Sequence, residues 1–327
     1  GWLDQRVISS PDATAIISSE TTLDYRTLKK RSDCLARGLL NLGIGSGDVV
    51  GIQLLNRPEY LIAHLALARI GAVLTTIHAS YRLAEMEVLL SHGSARAVIC
   101  ENRIRNHNVA EVALELRSRI PSLEHVIVFG ERISNTLDLD RLIMDASAIE
   151  LGSIPEPTDP FLLLYTSGTS DRPKAVAHNF EAMLSNARLS VPELDVTAQD
   201  VILAAGPYSH LYALLGVHMA FWSGATNLLL ESYSPSLLAD TITYGRPSVM
   251  LAVPAHIAAF LNNGLFDVLD MSSLRLVIVA GSAVPPNLMR ELDRKLPNGT
   301  VAQLWGMTEM QAGIYTPPGV DVEVAAT

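Results

Sequence analysis

The strongest constraint on the fold is a regular alternation of strand and helix patterns joined by short connections. Short apolar runs bounded by turn residues are typical of buried strands, and apolar residues at helical spacing lie between them. This alternation predicts a parallel α/β architecture. The predicted strands are 49–55, 72–77, 95–100, 125–129, 161–164, 201–205, 227–230, 248–253, 276–280 and 300–304, and the predicted helices of the first half are 25–42, 59–70, 83–90 and 109–120.

A loop of small residues follows the predicted strand 161–164 and ends in a lysine. Its hydroxyl groups, its glycine and its positive charge suit a polyphosphate, because backbone N–H groups approach an anion closely at glycine. The residues concerned are Thr166, Ser167, Gly168, Thr169, Ser170 and Lys174. The loop is not a Walker A motif, since Pro173 and Ala175 stand where that motif has a glycine and a hydroxyl, and a strand pattern follows. A surface hairpin loop is the alternative interpretation.

A second segment places an aromatic ring, a glycine, a hydroxyl and a carboxylate within five residues, from Trp305 to Glu309. An adenine base could stack on Trp305, and a carboxylate is a ligand that Mg²⁺ accepts. Glu309 follows a predicted buried strand, so its carboxylate is expected to need a partner. The two segments together indicate ATP chemistry.

Further short segments follow predicted strands in the second half. Pro207-Tyr-Ser-His210 comes after strand 201–205, Gly281-Ser-Ala283 after strand 276–280, and Trp305-Gly-Met-Thr-Glu309 after strand 300–304. Ligands of open parallel sheets bind at the carboxyl ends of strands. The spacing therefore predicts one shared crevice.

Taken together, these motifs resemble the signature motifs of the adenylate-forming superfamily, which contains acyl- and aryl-CoA synthetases, firefly luciferases and peptide-synthetase adenylation domains. The family's phosphate loop usually reads Thr-Ser-Gly-Thr-Thr-Gly-x-Pro-Lys-Gly, and here Asp171 and Ala175 replace two of its glycines. The segments 207–210, 280–285 and 303–309 are similar to three further family motifs in the same order. The resemblance covers nearly all of the chain.

The resemblance implies activation of a carboxylic acid by ATP and Mg²⁺ to an acyl-adenylate, followed by thioester formation with coenzyme A. The implied nucleotide-binding residues are Thr166, Ser167, Gly168, Thr169, Ser170, Lys174, Gly281, Ser282, Ala283, Gln303, Leu304, Trp305, Gly306, Met307 and Thr308. The implied catalytic residues are Lys174, His210, Thr308 and Glu309, with Glu309 as the magnesium ligand. The implied acid-binding residues are His210, Pro254, His256, Gly306 and Met307.

The same resemblance implies two lobes of βαβ units with mainly parallel sheets, as in the N-terminal domain of acyl-CoA synthetases. Residues 46–195 would form the lobe with the phosphate loop, and residues 1–45 plus 196–327 the lobe with the adenine and acyl sites. The family continues with a small β-barrel and a mobile C-terminal domain, whereas this chain ends at Thr327. It is therefore expected to be an N-terminal part that is weakly active alone.

The segment after His210 helps to define the acid. Amino-acid-activating domains usually carry an aspartate there for the substrate's amino group, whereas residues 211–217 contain no carboxylate. This favours an apolar acid of the fatty, alicyclic or aromatic kind. A carrier-protein-loading adenylation domain and a non-catalytic nucleotide- or acyl-binding module remain the alternatives.

Composition excludes some partners. A net charge of −10 argues against nucleic acid, which needs a basic surface. No apolar run reaches the length of a transmembrane segment, since His64 and Arg69 interrupt the best candidate. The two cysteines, Cys34 and Cys100, predict buried thiols in a reducing compartment, and without a signal peptide the expected location is cytoplasmic. A homodimer is compatible with the apolar fraction of 49%.

Overall fold

The computed structural model describes residues 2–144, 149–166, 173–317 and 319–320, which form two compact units. The first unit runs from Arg26 to Ala182, and the second joins Trp2–Tyr25 to the chain from Met183 onward. The helices are α1 Trp2–Ser9, α2 Tyr25–Asn41, α3 Pro58–Ile70, α4 Leu83–His92, α5 Val109–Arg119, α6 Leu139–Met144, α7 Phe180–Glu193, α8 Leu211–Ser223, α9 Pro235–Gly245, α10 Pro254–Asn262, α11 Leu265–Val268 and α12 Pro286–Lys295. The strands are β1 Thr14–Ile17, β2 Thr22–Asp24, β3 Val49–Gln53, β4 Val73–Thr76, β5 Ala97–Glu101, β6 Arg103–Ile104, β7 His107–Asn108, β8 His125–Phe129, β9 Leu137–Asp138, β10 Pro160–Thr166, β11 Lys174–Asn179, β12 Val201–Ala204, β13 Thr226–Leu228, β14 Val249–Ala252, β15 Leu276–Val279, β16 Thr300–Trp305 and β17 Ile314–Tyr315.

The first unit is built on a sheet in the order β11-β10-β4-β3-β5-β8-β9. Its described strands are parallel except for the hairpin of β10 and β11 at one edge. Helices cross over between the parallel strands, and Gly51 in β3 lets the side chains of Ile77 and Leu90 pack directly on the strand, since a Cβ there would lie 2.9 Å from both. The edge hairpin carries the ends of the predicted phosphate loop.

The second unit is built on a sheet in the order β17-β16-β15-β14-β12-β13-β1-β2. Its strands are parallel apart from the antiparallel edge strands β2 and β17. Alternate side chains of the central strands enter two different apolar clusters, one containing α8 and α7 residues and the other α9, α10 and α12 residues. Burial on both faces is what parallel strands require, and it explains why their sequences are continuous apolar runs.

The N-terminal segment belongs to the second unit because it completes that sheet and caps a helix. Ile16 of β1 pairs with Asn227 of β13. The Arg6 guanidinium donates to the carbonyl oxygens of Trp222 and Phe221 at the end of α8, and the Tyr25 hydroxyl donates to the Ala225 oxygen at 2.6 Å. A cation at a helix C-terminus also complements the helix dipole.

The parallel α/β fold predicted from the alternation is confirmed, with strand ends within a few residues of the expected ones. The boundaries of the units differ from the expected 46 and 195. Helix α2 belongs to the first unit, where Gly38 packs against Leu142. The boundary between the units falls within α7, because its residues Ala187 and Val191 lie in the core of the second unit. The assignment of nucleotide and acyl sites to these units stays a prediction. No described helix is both long and apolar enough to cross a membrane.

A buried carboxylate ties together the amino ends of three strands in the second unit. Asp200, with its side chain 6% exposed, accepts two hydrogen bonds from the Arg275 guanidinium at 2.9 and 2.8 Å. It also accepts from the Ser248 hydroxyl at 2.6 Å and from the Thr197 amide at 2.8 Å. Burial alone would raise the pKa of Asp200, but these donors outweigh it and hold the pKa below its usual value.

Replacing Asp200 by Asn should lower the free energy of unfolding at pH 7 by about 2 kcal/mol, because charge-assisted hydrogen bonds are lost around a buried group. The folded-state pKa is depressed, so the stabilisation is complete above the unfolded value of about 4 and is lost as the pH falls through the folded value. The difference between variant and wild type should therefore shrink in urea titrations below pH ~4.

Asp270→Asn is the matched control for this change. Asp270 pairs with Arg246 at 2.9 Å, but both side chains are more than half exposed, so little stability should depend on them. Equal urea midpoints for the two variants at pH 7 would contradict the role given to Asp200.

Candidate nucleotide and acid site

Four adjacent parallel strands of the second unit end at one edge of the sheet. Ala204 of β12 lies opposite Leu251 of β14, Ala252 opposite Val279 of β15, and Val279 opposite Gln303 of β16. We call the chain that follows each strand a strand-end segment: residues 205–210, 253–256, 280–283 and 306–313. These segments bring together the residues predicted for the second unit at one edge, with Gln303, Leu304 and Trp305 at the end of β16 itself.

The segment after β16 reverses direction sharply. The amide of Gln311 donates to the Met307 oxygen at 2.7 Å, and the amide of Gly313 donates to the Trp305 oxygen at 2.9 Å. A Cβ added at Gly306 would overlap the carbonyl oxygen of Gln311, so only glycine fits there. Gly306, predicted as a substrate contact, is therefore required by the turn itself.

This turn exposes the groups expected to meet a nucleotide. Trp305 is 58% exposed and Met307 46% exposed, Thr308 is half-buried, and Gln303 is half-buried on β16. Leu304 packs into the core, so only its backbone is available to a ligand. An exposed tryptophan at a strand end, beside glycines, fits a stacked base.

Glu309 is exposed, so the expectation that burial would force it to find a partner is wrong. The proposed role of Glu309 as a metal ligand therefore depends on the chemistry of its carboxylate and not on its burial. Among the residues that the structure describes, no three His, Cys, Asp or Glu side chains are grouped to hold a metal ion. A single exposed carboxylate still fits Mg²⁺, which binds one or two carboxylates together with substrate phosphates.

The segment after β15 presents backbone to the edge. Gly281 has φ +91, and a Cβ there would lie 3.0 Å from the Val253 side chain. Gly281, Ser282 and Ala283 are all exposed. A flat ring can therefore approach the main chain closely at this point.

His210 is the N-cap residue of α8, with extended backbone at φ −114 and ψ 140. The residue as a whole is exposed, yet the protein atoms around its imidazole desolvate the charged form and lower its pKa below the usual value. The ring is neutral at pH 7 and presents one N–H group. Behind it, the Tyr212 hydroxyl donates to the Ile278 oxygen at 2.7 Å and joins the first turn of α8 to β15.

Pro254 begins α10 and is buried, while His256 lies in the first turn with its ring stacked on Tyr233. The ring centroids are 3.8 Å apart with 12° between the planes, and the Tyr233 hydroxyl donates to the His256 oxygen at 2.9 Å. Burial lowers the pKa of His256 to about 4. The sequence held no signal for this stack, because Tyr233 lies after a different strand.

The ends of the predicted phosphate loop lie in the first unit. Thr166 of β10 pairs with Lys174 of β11 across the antiparallel hairpin, and the Lys174 side chain is exposed. The strand predicted after Lys174 is confirmed, which separates this loop from a strand-to-helix P-loop. Ser167, Gly168, Thr169 and Ser170 lie outside the described residues.

Fold and strand-end segments together define an α/β protein with a candidate ligand site at one edge of a sheet. A sequence profile described as "AMP-binding enzyme" matches residues 3–326, and the chain belongs to that family. The resemblance drawn from the motifs is thereby confirmed.

The similarity to individual proteins is consistent with membership of the AMP-binding family. The chain is 29% identical over 298 residues to the acyl-CoA ligase SID4 of Ajellomyces capsulatus, covering 87% of this chain and 51% of SID4. It is 26% identical over 298 residues to the medium-chain fatty-acid–CoA ligase of Escherichia coli, covering 90% and 53%. The chain thus spans about half the length of these relatives.

The fold is also that of solved structures. The anthranilate CoA ligase AuaEII, crystallised with anthranoyl-AMP, superposes with a TM-score of 0.90 over 97% of this chain and 61% of its own, at 23% identity. At that identity the likeness establishes the fold alone.

In an NMR titration, the His256 imidazole should protonate with a midpoint near 4, because burial against Tyr233 excludes water from its charged form. The folded pKa lies below the unfolded value of about 6.5, so the contribution of His256 to stability is complete above pH ~6.5 and declines as the pH falls toward 4.

Tyr233→Leu should raise the midpoint toward 6.5 by opening one face of the ring, and His256→Phe assigns the resonance by its loss. An unchanged midpoint in Tyr233→Leu would show that the stack does not control the titration.

Proposed function

We propose that this chain binds ATP and a carboxylic acid and forms an acyl-adenylate, the first half of an acid–coenzyme A ligation. The observation that carries the proposal lies at the edge of the second-unit sheet where β12, β15 and β16 end. The exposed Trp305 ends β16, Gly281 with its positive φ follows β15, and the neutral His210 follows β12. Membership of the AMP-binding family supports a nucleotide as the ligand.

In the proposed reaction a carboxylate oxygen attacks the α-phosphorus of ATP. A new oxygen–phosphorus bond forms while the bond to the bridging oxygen breaks, and pyrophosphate leaves. In the second half, the thiol of coenzyme A attacks the acyl carbon, AMP leaves, and the thiol proton passes to solvent. The protein contributes mainly alignment and charge stabilisation to such a reaction.

On the nucleotide side, Trp305 stacks on adenine, with Gln303 at its edge and residues 281–283 along its face. The Thr308 hydroxyl contacts the α-phosphate, and Glu309 would hold Mg²⁺. When bound, Mg²⁺ neutralises charge on the phosphates.

On the acid side, the neutral His210 imidazole donates its N–H to the carboxylate. Pro254, His256, Gly306 and Met307 border the acyl group. Helix α8, which begins at Leu211, carries only apolar and uncharged side chains near the edge, which supports an apolar acid. The relative described as a medium-chain fatty-acid–CoA ligase supports a fatty one.

The β- and γ-phosphates are assigned to the loop motif of the first unit, with Lys174 as the cation and the hydroxyl and glycine groups as further donors. Those groups are Thr166, Ser167, Gly168, Thr169 and Ser170. The cytoplasmic location, the homodimer and coenzyme A rather than a carrier protein as acceptor stay predictions.

Acyl sulfamoyl-adenosines with octanoyl, cyclohexanoyl and benzoyl groups should raise the melting temperature of the chain, in an order that ranks the acyl groups. Ligand at about 100 times its Kd adds roughly 2.7 kcal/mol, which a thermal scan detects readily. Trp305→Ala should weaken binding about tenfold to hundredfold through lost stacking, and Trp305→Phe much less.

Tyr244→Ala is the matched control, since Tyr244 is an exposed aromatic residue on α9 outside the strand-end segments. Absence of any shift in the wild type would refute the proposed site. Binding without ATP–pyrophosphate exchange would favour a non-catalytic binding module instead.

Lys174→Ala should weaken ATP binding about tenfold while leaving the acyl sulfamoyl-adenosine affinity unchanged, because the analogue lacks the β- and γ-phosphates that the lysine is proposed to meet. Calorimetric titration of both ligands measures the contrast. Lys30→Ala, an exposed lysine of α2 in the same unit, serves as the control. Equal weakening of both ligands would place Lys174 elsewhere in the mechanism.

A further inference from the structure

We propose that Gln311 is a positioning residue that fixes the turn carrying Trp305, Thr308 and Glu309 to the first turn of α8, which carries His210. It would thereby fix the position of the nucleotide-binding half of the site relative to the acid-binding half. This inference rests on the proposed function, because it assigns those two halves to the two elements that Gln311 joins.

The contact itself is direct. The Gln311 side-chain amide nitrogen, Nε2, donates to the carbonyl oxygen of Leu211 at 3.1 Å, and Leu211 is the residue after His210. A carbonyl oxygen only accepts hydrogen bonds, so the NH₂ group must face Leu211. The other amide atom, Oε1, then points away, and it is buried with no hydrogen-bond partner among the described residues.

Gln311 is unusual for a buried residue in two ways, in its backbone conformation and in the pairing of its side-chain amide. Its φ is +64, a left-handed value that favours glycine, and the residue is only 5% exposed. The other described non-glycine residues with positive φ, namely Ser94, Arg105, Asn135, Asp195 and Arg246, are all exposed. Gln311 therefore combines backbone strain with a buried, half-satisfied amide.

Folding alone gives little reason for this arrangement. Leu211 lies in the first turn of α8, where its carbonyl oxygen also accepts the helical hydrogen bond from the residue four positions on. An apolar side chain at 311 would leave no unsatisfied donor and no buried Oε1. The hydrogen bond to Leu211 is thus better explained by where it holds the two elements.

The position of Gln311 affects the positions of the ligand-facing residues in the same turn. The Gln311 carbonyl oxygen lies against the α-carbon of Gly306, so a shift of Gln311 displaces the neighbours of Gly306, which are Trp305 and Met307. The flanking residues are held to α7 instead, by Asn186 donating to the Met310 oxygen at 3.0 Å and by Ser190 bonding the Tyr315 hydroxyl at 2.7 Å. Gln311 provides a side-chain hydrogen bond to α8.

The test is Gln311→Met, which keeps the length of the side chain and removes both polar amide atoms. We expect an unchanged or higher melting temperature and an unchanged affinity for AMP. We expect a loss of about tenfold in affinity for octanoyl or benzoyl sulfamoyl-adenosine, within the 5- to 150-fold range typical of coupling between two binding sites. In ATP–pyrophosphate exchange, kcat should fall while KM for ATP does not.

A double-mutant cycle with His210→Ala supplies the second measurement. If Gln311 acts through α8, its effect on acyl sulfamoyl-adenosine affinity should largely disappear in the His210→Ala background. Gln199→Met, at an exposed glutamine of the same unit, should match the wild type throughout.

Equal weakening of AMP and the acyl sulfamoyl-adenosine, additive effects in the cycle, or wild-type behaviour of Gln311→Met would each overturn the proposal. A wild-type chain that binds none of the analogues would refute the proposed function itself. That outcome is read on the wild type, before any variant is made, so the two failures are distinguishable.

Discussion

Burial of β12, β14, β15 and β16 on both faces is the constraint on which the candidate site depends. Side chains along such strands must be apolar, and the backbone groups are already paired, so polar chemistry is confined to the strand ends. At the amino ends this chain places Asp200 and Arg275, which tie the strands together. At the carboxyl ends it places exposed groups such as Trp305 and Ser282 that the core does not use. The stabilising ion pair and the proposed ligand-binding groups thereby lie at opposite ends of the same strands.

The same constraint explains what the sequence predicted well. Continuous apolar runs identify buried parallel strands without knowledge of their partners, so β12 to β16 and their end motifs could be located. Strand β1 escaped prediction because it has four residues and pairs with β13, more than 200 positions along the chain. The exposure of Glu309 was missed for a related reason, since a sharp turn after β16, set by Gly306, carries that side chain away from the core.

Charge is distributed in a way that bears on how an acidic chain could hold ATP. The strand-end segments contain no lysine or arginine, and the two histidines there have lowered pKa values, so they are neutral at pH 7. These segments can therefore offer an aromatic face, backbone dipoles, hydroxyls and the Glu309 carboxylate, but no lysine or arginine. In the proposed function, neutralisation of phosphate charge would therefore fall to Mg²⁺ and to Lys174, which is consistent with a net charge of −10.

The turn after β16 violates several local rules. Trp305 and Met307 leave apolar surface exposed, and Gln311 keeps a left-handed backbone and a buried oxygen that has no partner in the part of the chain that the structure describes. Sequences that specify one structure satisfy such rules nearly everywhere, and exceptions persist where another requirement outweighs stability. Glycine at 311 would relieve the backbone, and an apolar residue would relieve the amide, yet neither could hold α8 through the Leu211 oxygen. The strain at Gln311 is therefore better understood as the cost of holding two parts of a site in register than as imperfect packing.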